Sequence, residues 1–214
     1  MDEHSFTQAH YTVLHNSTVV DPYIEEHNNI LRSNNPEQTA DWIDREHVKT
    51  FGGWLETCLI NDTDVGEQLY LLAKQPSCTM LTFQGYEING NTFYTADQDK
   101  KSTNQNSGVR FDATNGNGQK DTYYGYIEEI WELDYGPSFQ VPLFRCKWVN
   151  LTAGVKVDPQ YGMTTVDLNN LAYDTDPFVL ADDVAQVFYV KDMSTKSKKK
   201  ISKRIHQTMR QSVT

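Results

Sequence analysis

Four carboxylates in one predicted strand are the residues of this sequence most able to hold a metal ion. The segment YYGYIEEIWELD contains Glu128, Glu129, Glu132 and Asp134. Side chains alternate between the two faces of a strand, so Glu128, Glu132 and Asp134 share one face and could bind a divalent cation. A nuclease would use such a cation to cleave a phosphodiester. A solvated acidic face explains the same pattern without a ligand, and we therefore predict no catalytic residue, no metal site and no cofactor.

The histidines and cysteines form no ligand or nucleophile motif. None of the six histidines has metal-ligand spacing with a second histidine or a cysteine. His27 and His47 fall on the apolar faces of predicted helices, which favours packed imidazoles. Cys146 lies between Arg145 and Lys147, whose charges would lower its pKa, but strand alternation predicts a buried thiol. Three cysteines, far apart in the chain, favour reduced thiols over a disulfide framework.

Aromatic side chains are concentrated around the same strand. Aromatic rings on a small β domain can enclose a methylated lysine or stack on the bases of a single strand. They are also the ordinary core of such a domain, which is the interpretation that the pattern favours. The binding surface that the sequence allows consists of Tyr124, Tyr126, Trp131, Tyr135 and Trp148.

The net charge of −10 is divided unevenly along the chain. Seven of the 19 Lys and Arg residues follow Thr195, so the preceding part holds 12 basic and 29 acidic residues, a formal charge of −17. A body this acidic repels phosphate backbones. The basic run predicts a nuclear localisation signal or a phosphate-binding tail, with a solvated linker as the alternative. It consists of Lys196, Lys198, Lys199, Lys200, Lys203 and Arg204.

A predicted hairpin, residues 123–149, carries both the carboxylates and most of these aromatic residues. Its first arm alternates with period 2, which indicates a half-buried strand, and Ile130 is the one apolar residue on the acidic face. Gly136 and Pro137 favour the turn. Pro142 lacks a backbone N–H, so the second arm should meet a sheet edge or a bulge there.

The rest of the chain changes periodicity near residue 78. Asp21-Pro22 begins a predicted helix, residues 37–59 form a second that Gly52-Gly53 would weaken, and a short third one follows. Six to eight short strands then follow, with a hairpin turn at Asn89-Gly90. The predicted fold class is α+β: a helical region (1–77), a small antiparallel β-barrel of the SH3-like type (78–192) and a basic disordered tail (193–214). We expect neither a secretory signal nor a membrane span.

Several long sequence segments resemble a known family of domains. YYGYIEEIWELDYG, VPLFRCKWVN, YGMTTVDLN and VLADDVAQVFYVKD occur in this order between residues 123 and 192, within a match that spans roughly residues 85–191. They resemble an uncharacterised plant domain that follows the transposase in CACTA-type (En/Spm-like) transposon proteins. Upstream, residues 9–36 and 42–54 resemble the region that precedes that domain. The resemblance implies a transposon-derived origin and a nuclear location, but no activity, because the nuclease site of those proteins lies in a separate upstream domain.

Three functions are compatible with these observations. The first is a non-enzymatic transposon-derived accessory or protein-interaction module, or a decayed fragment of one, whose partner would be a transposase or a chromatin component. The second is nucleic-acid binding through the basic tail and exposed aromatic residues. The third, and the least favoured, is a nuclease that uses the acidic strand face. The oligomeric state does not follow from the sequence.

Overall fold

The computed structural model describes residues 2–60, 64–77, 80–114, 118–191 and 202–206. The chain divides into two compact units: residues 1–81 with 132–143, and residues 82–131 with 144–214. Both units are discontinuous in sequence, because the hairpin contributes its turn to the first unit and its two arms to the second. The domain boundaries that the sequence predicts, after residues 77 and 192, stay predictions.

The first unit is mostly helical, as the sequence predicts. Its elements are α1 (Glu3–His15), a 3-10 turn (Thr18–Val20), α2 (Asp21–Asn34), α3 (Ala40–Leu59) and α4 (Glu67–Ala73). The Asp2 carboxylate caps α1 by accepting the backbone N–H of Ser5 at 2.8 Å, and Thr39 caps α3. Pro22 lies in the first turn of α2, where a backbone N–H has no partner within the helix, so its absence costs no hydrogen bond. Side-chain caps thus mark the starts of α1 and α3, whereas α2 includes Asp21 as its first residue and has no side-chain cap.

Helix α3 continues through the predicted weak point at Gly52-Gly53. A Cβ atom on Gly52 would lie 3.1 Å from Cδ2 of His10, closer than ordinary packing allows. The missing side chain thus permits a close approach of α1 and α3. This packing offsets the cost of about 1 kcal/mol that glycine carries in a helix relative to alanine.

The strands follow α4 and belong mainly to the second unit. They are β1 (Leu81–Phe83), β2 (Gly85–Ile88), β3 (Asn91–Tyr94), β4 (Gly108–Thr114), β5 (Lys120–Asp134), β6 (Gln140–Val149), β7 (Val155–Val157), β8 (Thr164–Asp167), β9 (Leu171–Ala172), β10 (Phe178–Leu180), β11 (Val184–Gln186), β12 (Phe188–Lys191) and β13 (Ser202–His206). A short helix, α5 (Ala96–Asp99), follows β3, and a 3-10 turn (Ala181–Asp183) joins β10 to β11.

These strands form three sheets. The largest has the order β10-β6-β5-β4-β11, with β1 paired to β5 and β9 paired to β6. A second sheet has the order β12-β13-β8-β7, and β2 pairs with β3 in a hairpin. The hairpin turn is the predicted Asn89-Gly90, with φ of 50° and 72°. The two-residue turn fits because both residues tolerate positive φ.

The largest sheet is strongly curled. Its opposite edges, β10 and β11, would be about 19 Å apart in a flat sheet. The chain from Leu180 to Val184 spans at most about 14 Å, so the sheet must bend for the 3-10 turn to join the edges. No closed barrel is detected among the described strands. The structure thus confirms N-terminal helices followed by antiparallel sheets, but not an SH3-like barrel.

Strand β5 departs from strict alternation. Ile127 and Ile130 are three residues apart, yet both are buried in one cluster with Phe144 and Cys146. Regular alternation would put them on opposite faces, so burial does not follow strict alternation between them. Ile130, which alternation had put on the acidic face, is therefore part of the core.

The region predicted to be disordered contains a strand. Backbone pairs join β13 to β12 at Phe188↔His206 and to β8 at Ser202↔Asp167. The prediction of disorder does not hold for residues 202–206, because pairing on both sides supplies hydrogen bonds that composition alone does not reveal. Residues 192–201 and 207–214 lie outside the described residues. Within the described part of the chain, no helix is both long and apolar enough to cross a membrane.

Candidate ligand-binding site

The second unit contains an aromatic pocket of about 160 Å³. Five aromatic rings, one small apolar residue and one carboxylate line it: Phe111, Ala113, Tyr123, Trp148, Tyr173, Asp176 and Phe178. Trp148 and Phe178 are 5% and 6% exposed, whereas Tyr173 is 38% exposed. The pocket therefore has a buried floor and a mouth formed by the chain around Tyr173.

Strand pairing brings these walls together from distant parts of the sequence. Phe111 of β4 lies opposite Tyr123 of β5, with ring centroids 6.4 Å apart. The Phe111 ring is also 6.4 Å from that of Trp148 on β6. Trp148 pairs with Ala172 of β9, so Tyr173 leaves the sheet directly beside it. The register of four strands thus fixes the relative positions of the rings.

Tyr173 has an unusual backbone conformation. Its φ of 64° lies in the left-handed region, which costs about 1 kcal/mol or more for a residue with a side chain. Its carbonyl accepts the backbone N–H of Asp176 at 3.0 Å, which closes a turn. The Tyr173 ring meets that of Tyr123 at 82°, with centroids 5.5 Å apart. The strained turn therefore holds two phenol rings as nearly perpendicular walls.

Gly125 allows Trp148 to lie close to the neighbouring strand. A Cβ atom at Gly125 would collide with the carbonyl oxygen of Lys147 and would lie 2.9 Å from Cε3 of Trp148. The Gly125 carbonyl also accepts a hydrogen bond of 2.7 Å from the hydroxyl of buried Tyr189. Only glycine fits this position without moving the pocket floor.

The electrostatic surroundings of the pocket are negative. Asp176 lines the pocket, and Asp174 accepts a hydrogen bond from Nζ of Lys147 at 3.1 Å. Burial raises the pKa of the Tyr123 hydroxyl, and the carboxylates of Asp121 and Asp176 raise it further. These two carboxylates oppose a negative charge on Tyr123 and therefore favour a positive charge in the same place.

The aromatic surface predicted from the sequence is largely interior. Trp131, Tyr135 and Trp148 are at most 5% exposed. Tyr124 packs partly buried against the smaller core cluster of the second unit, and Tyr126 is half-buried. Trp148 alone among the five lines the pocket, because alternation cannot show which rings face a cavity. Trp131 supports the pocket from behind, with its ring 4.7 Å from that of Phe178.

The acidic residues of β5 are engaged by neighbouring groups. The Nη1 atom of Arg145 lies 2.6 Å from Oε1 of Glu129 and 3.5 Å from Oε2 of Glu128. Glu129 also accepts the indole N–H of Trp131 at 2.7 Å, and Asp134 accepts the backbone N–H of Gly136. In the described residues, no group of three or more His, Cys, Asp or Glu could hold a metal ion. That the protein is not an enzyme stays a prediction.

The first unit encloses an imidazole pair in its own aromatic cluster. The Nδ1 atoms of His27 and His47 are 2.7 Å apart, so one donates a hydrogen to the other. The rings of Tyr11, Phe51 and Trp54 pack around the pair. Burial lowers the pKa of His47 to about 4 and also lowers that of His27. The prediction that both imidazoles are packed on helix faces is confirmed.

His10 is a third buried histidine of the first unit. Its Nδ1 atom lies 2.8 Å from the hydroxyl of Tyr135, in the hairpin turn that belongs to the same unit. Burial lowers the pKa of His10 to about 4 and raises the pKa of Tyr135. Within the described residues, Nε2 of His10 and Nε2 of His47 have no hydrogen-bond partner. These imidazoles are therefore neutral parts of a core at neutral pH.

The cysteines and the basic run complete the set of sequence candidates. Cys146 is 2% exposed, and burial raises its pKa well above the ordinary value, which confirms a buried thiol. Cys58 is exposed, and Cys78 lies outside the described residues. Lys203 and Arg204 belong to β13. The other basic candidates lie outside the described part of the chain: Lys196, Lys198, Lys199 and Lys200.

Sequence reasoning missed most of the pocket. Phe111, Tyr173, Asp176 and Phe178 lie outside the predicted hairpin, and Tyr123, its first residue, is not among the aromatic residues of the predicted binding surface. The one local signal was Tyr173-Asp174-Thr175-Asp176, a polar turn interrupted by an aromatic residue. Nothing in the sequence places this turn beside Trp148, because the β6–β9 register does that.

A family model matches part of the chain. Residues 131–202 match the family described as Domain of unknown function (DUF4216), a domain often found in plant transposase-related proteins. The match includes Trp148, Tyr173, Asp176 and Phe178 of the pocket, whereas Phe111 and Tyr123 precede it. No curated protein and no solved structure gives a significant match to the chain.

Proposed function

We propose that this chain is a non-enzymatic protein-interaction module of transposon-derived origin, in which the aromatic pocket receives a positively charged side chain of a partner polypeptide. The observation that carries the proposal is the set of five aromatic rings with Asp176 around a cavity of about 160 Å³. A cation over an aromatic face is attracted by the ring quadrupole, by about 0.5–2 kcal/mol for each favourable contact.

The size of the pocket favours a single side chain over a cofactor. Sites for drug-sized ligands usually enclose about 300–1,000 Å³. A cavity of about 160 Å³ holds only the end of one long side chain and a few water molecules. A partner polypeptide can supply such a group while its backbone stays on the surface.

The charge of the chain supports a cationic partner. The part up to Thr195 is strongly acidic, with 12 basic against 29 acidic residues. Long-range attraction would speed the encounter with a lysine- or arginine-rich segment, whereas a nucleic-acid backbone would be repelled. This balance favours a protein ligand for the pocket.

The transposon context and the finer fold are part of the proposal. The family match to residues 131–202 and the resemblance to CACTA-associated proteins support an origin beside a transposase, with transposase or chromatin proteins as partners. The basic run from Lys196 to Arg204 supports a nuclear location. The curled sheet, whose edges are joined by one 3-10 turn, supports an SH3-like barrel.

A peptide array tests the proposed function. The peptides share glycine and serine flanks and differ only in the central residue: lysine, arginine, leucine or glutamate. We expect the full-length protein to retain lysine and arginine peptides above the leucine and glutamate peptides, and Tyr173→Ala to lose this preference. Equal retention of all four peptides, as a decayed copy would give, would contradict the proposal.

Nucleic-acid binding is the second candidate, and the basic run favours it. Six basic residues within nine positions can neutralise several phosphates, and such binding weakens steeply as salt concentration rises. This candidate does not involve the aromatic pocket, so the two functions can be tested separately.

A further inference from the structure

Three walls of the pocket offer no acceptor to a primary ammonium group, and its acceptors are confined to the Tyr123, Tyr173 and Asp176 side. A lysine ammonium has three N–H donors, each of which needs an acceptor once it is taken out of water. The walls formed by Phe111, Trp148 and Phe178 are hydrocarbon or indole faces. A primary ammonium inserted between them would leave donors unpaired, and this loss offsets much of the electrostatic gain.

A quaternary ammonium group matches the same walls better. It keeps the positive charge that aromatic faces attract, and its methyl groups need no hydrogen bond. Tyr123 and Tyr173 form a corner of 82°, so two phenol rings can contact adjacent sides of a rounded methylated head. Asp176 at the pocket neutralises the charge through space, without requiring an N–H donor.

The conformation of Tyr173 is a separate observation that points to a ligand. The residue is 38% exposed and has a φ of 64°, so its ring is held in place at a conformational cost without the compensation of deep burial. Strain of this kind is concentrated where a side chain must be positioned for a ligand. The strained residue is the one at the mouth of the pocket.

We propose that the pocket formed by Phe111, Tyr123, Trp148, Tyr173 and Asp176 binds the trimethylammonium group of a trimethylated lysine in a partner polypeptide. This inference rests on the proposed function and narrows its ligand. Choline carries the same head group, so a lipid or free choline is the other source of this chemistry, which the experiment must separate from the peptide.

The test is a calorimetric and NMR titration of the full-length chain. The probes are four acetylated peptides of the form Gly-Ser-Lys-Ser-Gly whose lysine carries zero to three methyl groups. Choline, phosphatidylcholine vesicles and 3,3-dimethyl-1-butanol, the uncharged isostere of choline, complete the set. The indole N–H signal of Trp148, assigned with Trp148→Phe, reports occupation of the pocket.

Three variants control the titration. Tyr173→Ala removes a wall and keeps a side chain at the strained position, whereas Tyr161→Ala removes an exposed tyrosine of the same unit that does not line the pocket. Asp176→Asn removes the charge of the pocket carboxylate. Glu87→Gln, its matched control, removes an exposed carboxylate of the same unit elsewhere.

The inference predicts a rise in affinity of about tenfold from the unmethylated to the trimethylated peptide. Tyr173→Ala and Asp176→Asn should abolish most of that difference, and Tyr161→Ala and Glu87→Gln should keep it. The uncharged isostere should not shift the Trp148 signal. Choline should bind more weakly than the trimethylated peptide, since it lacks the peptide flanks.

Each contrary result has a distinct meaning. Equal, Tyr173-dependent binding of unmethylated and trimethylated peptides would overturn the inference and leave the proposed function standing. Tighter binding of choline vesicles than of any peptide would also overturn it and would assign the pocket to a lipid head group. No shift of the Trp148 signal with any cation would overturn both the inference and the proposed function.

Discussion

Each of the two units contains a cluster of aromatic rings, and the clusters differ in what they enclose. In the first unit, Tyr11, Phe51 and Trp54 close on the His27–His47 pair. In the second unit, Phe111, Tyr123, Trp148 and Tyr173 surround a cavity of about 160 Å³. The same residue types thus form a filled core in one unit and an open site in the other. Amino-acid composition does not distinguish the filled core from the open site, whereas the exposure and the backbone strain of Tyr173 do.

Removing an aromatic ring should destabilise the filled cluster of the first unit more than the open cluster of the second unit. Phe51 is fully buried, and Phe51→Ala should lower the free energy of unfolding by about 3–5 kcal/mol. Tyr173→Ala, at the open cluster, should lower it by less than about 1 kcal/mol, since the ring is partly exposed. Urea unfolding followed by circular dichroism measures both. A similar loss in the two variants would remove the distinction between core and site.

Acidification should also act mainly on the first unit. The pKa values of buried His10 and His47 are lowered to about 4 from 6.5. Above pH 6.5 their contribution to stability is complete, and it is lost as pH falls toward 4, because the unfolded chain binds protons first. Each group should cost about 2 kcal/mol between pH 6.5 and pH 5.

Urea midpoints at pH 7 and pH 5 measure this loss. His47→Leu should flatten the pH dependence even though it lowers stability at both values, because it removes one titrating group. His4→Gln, at an exposed position of α1, should leave the slope unchanged. If His47→Leu leaves the change of the urea midpoint with pH unaltered, the buried histidine pair has little part in acid sensitivity.

A matched pair of glycine substitutions separates strain from ligand contact. Gln75 in the first unit and Tyr173 in the second have φ of 67° and 64°. Gln75→Gly and Tyr173→Gly should each relieve backbone strain worth about 1 kcal/mol. Gln75→Gly also loses the hydrogen bond from Gln75 to Glu56, and Tyr173→Gly loses the packing of its ring on Tyr123, so each gain is offset in part. Tyr173→Gly alone should weaken peptide binding, by about tenfold. Unfolding and peptide titration of both variants check this, and equal effects on binding would contradict a site at Tyr173.

The smallest effect on stability is expected in the basic run. Replacing Lys196, Lys198, Lys199 and Lys200 with glutamine leaves β13 intact, which removal of residues 194–214 would not. Duplex DNA binding at low salt should weaken, and the slope of affinity against salt concentration should fall by about one for each phosphate contact removed. Peptide binding at the pocket should be unchanged. DNA binding that these substitutions do not weaken would show that the four lysines have little part in nucleic-acid recognition.

The sequence determined the local features of the fold and few of the distant ones. The helix start at Asp21-Pro22, the turn at Asn89-Gly90 and the buried thiol of Cys146 follow from local chemistry and period. The departure of β5 from alternation and the pairing of β13 depend on tertiary packing, which the periodicity of the sequence does not show. The pocket belongs to this second group, because it needs four strands in register.

The candidate residues show the same division. Trp148 was among the predicted aromatic residues, and it does line the pocket. Tyr135 belongs to the same set of predicted aromatic residues, but its hydroxyl is hydrogen-bonded to His10 in the first unit. The hairpin thus divides its aromatic residues between two units. Its discontinuous division could not be inferred from alternation.

This interleaving also determines the order in which the chain can fold during synthesis. The helical unit begins to leave the ribosome before the second unit, yet its last residues, 132–143, follow the first part of the second unit. At about 5–20 residues per second, residue 143 is added roughly 3–12 s after residue 81. The hydrogen bond between His10 and Tyr135 can therefore form only after part of the second unit has been synthesised. The synthesis of the first unit ends only after that of the second unit has begun.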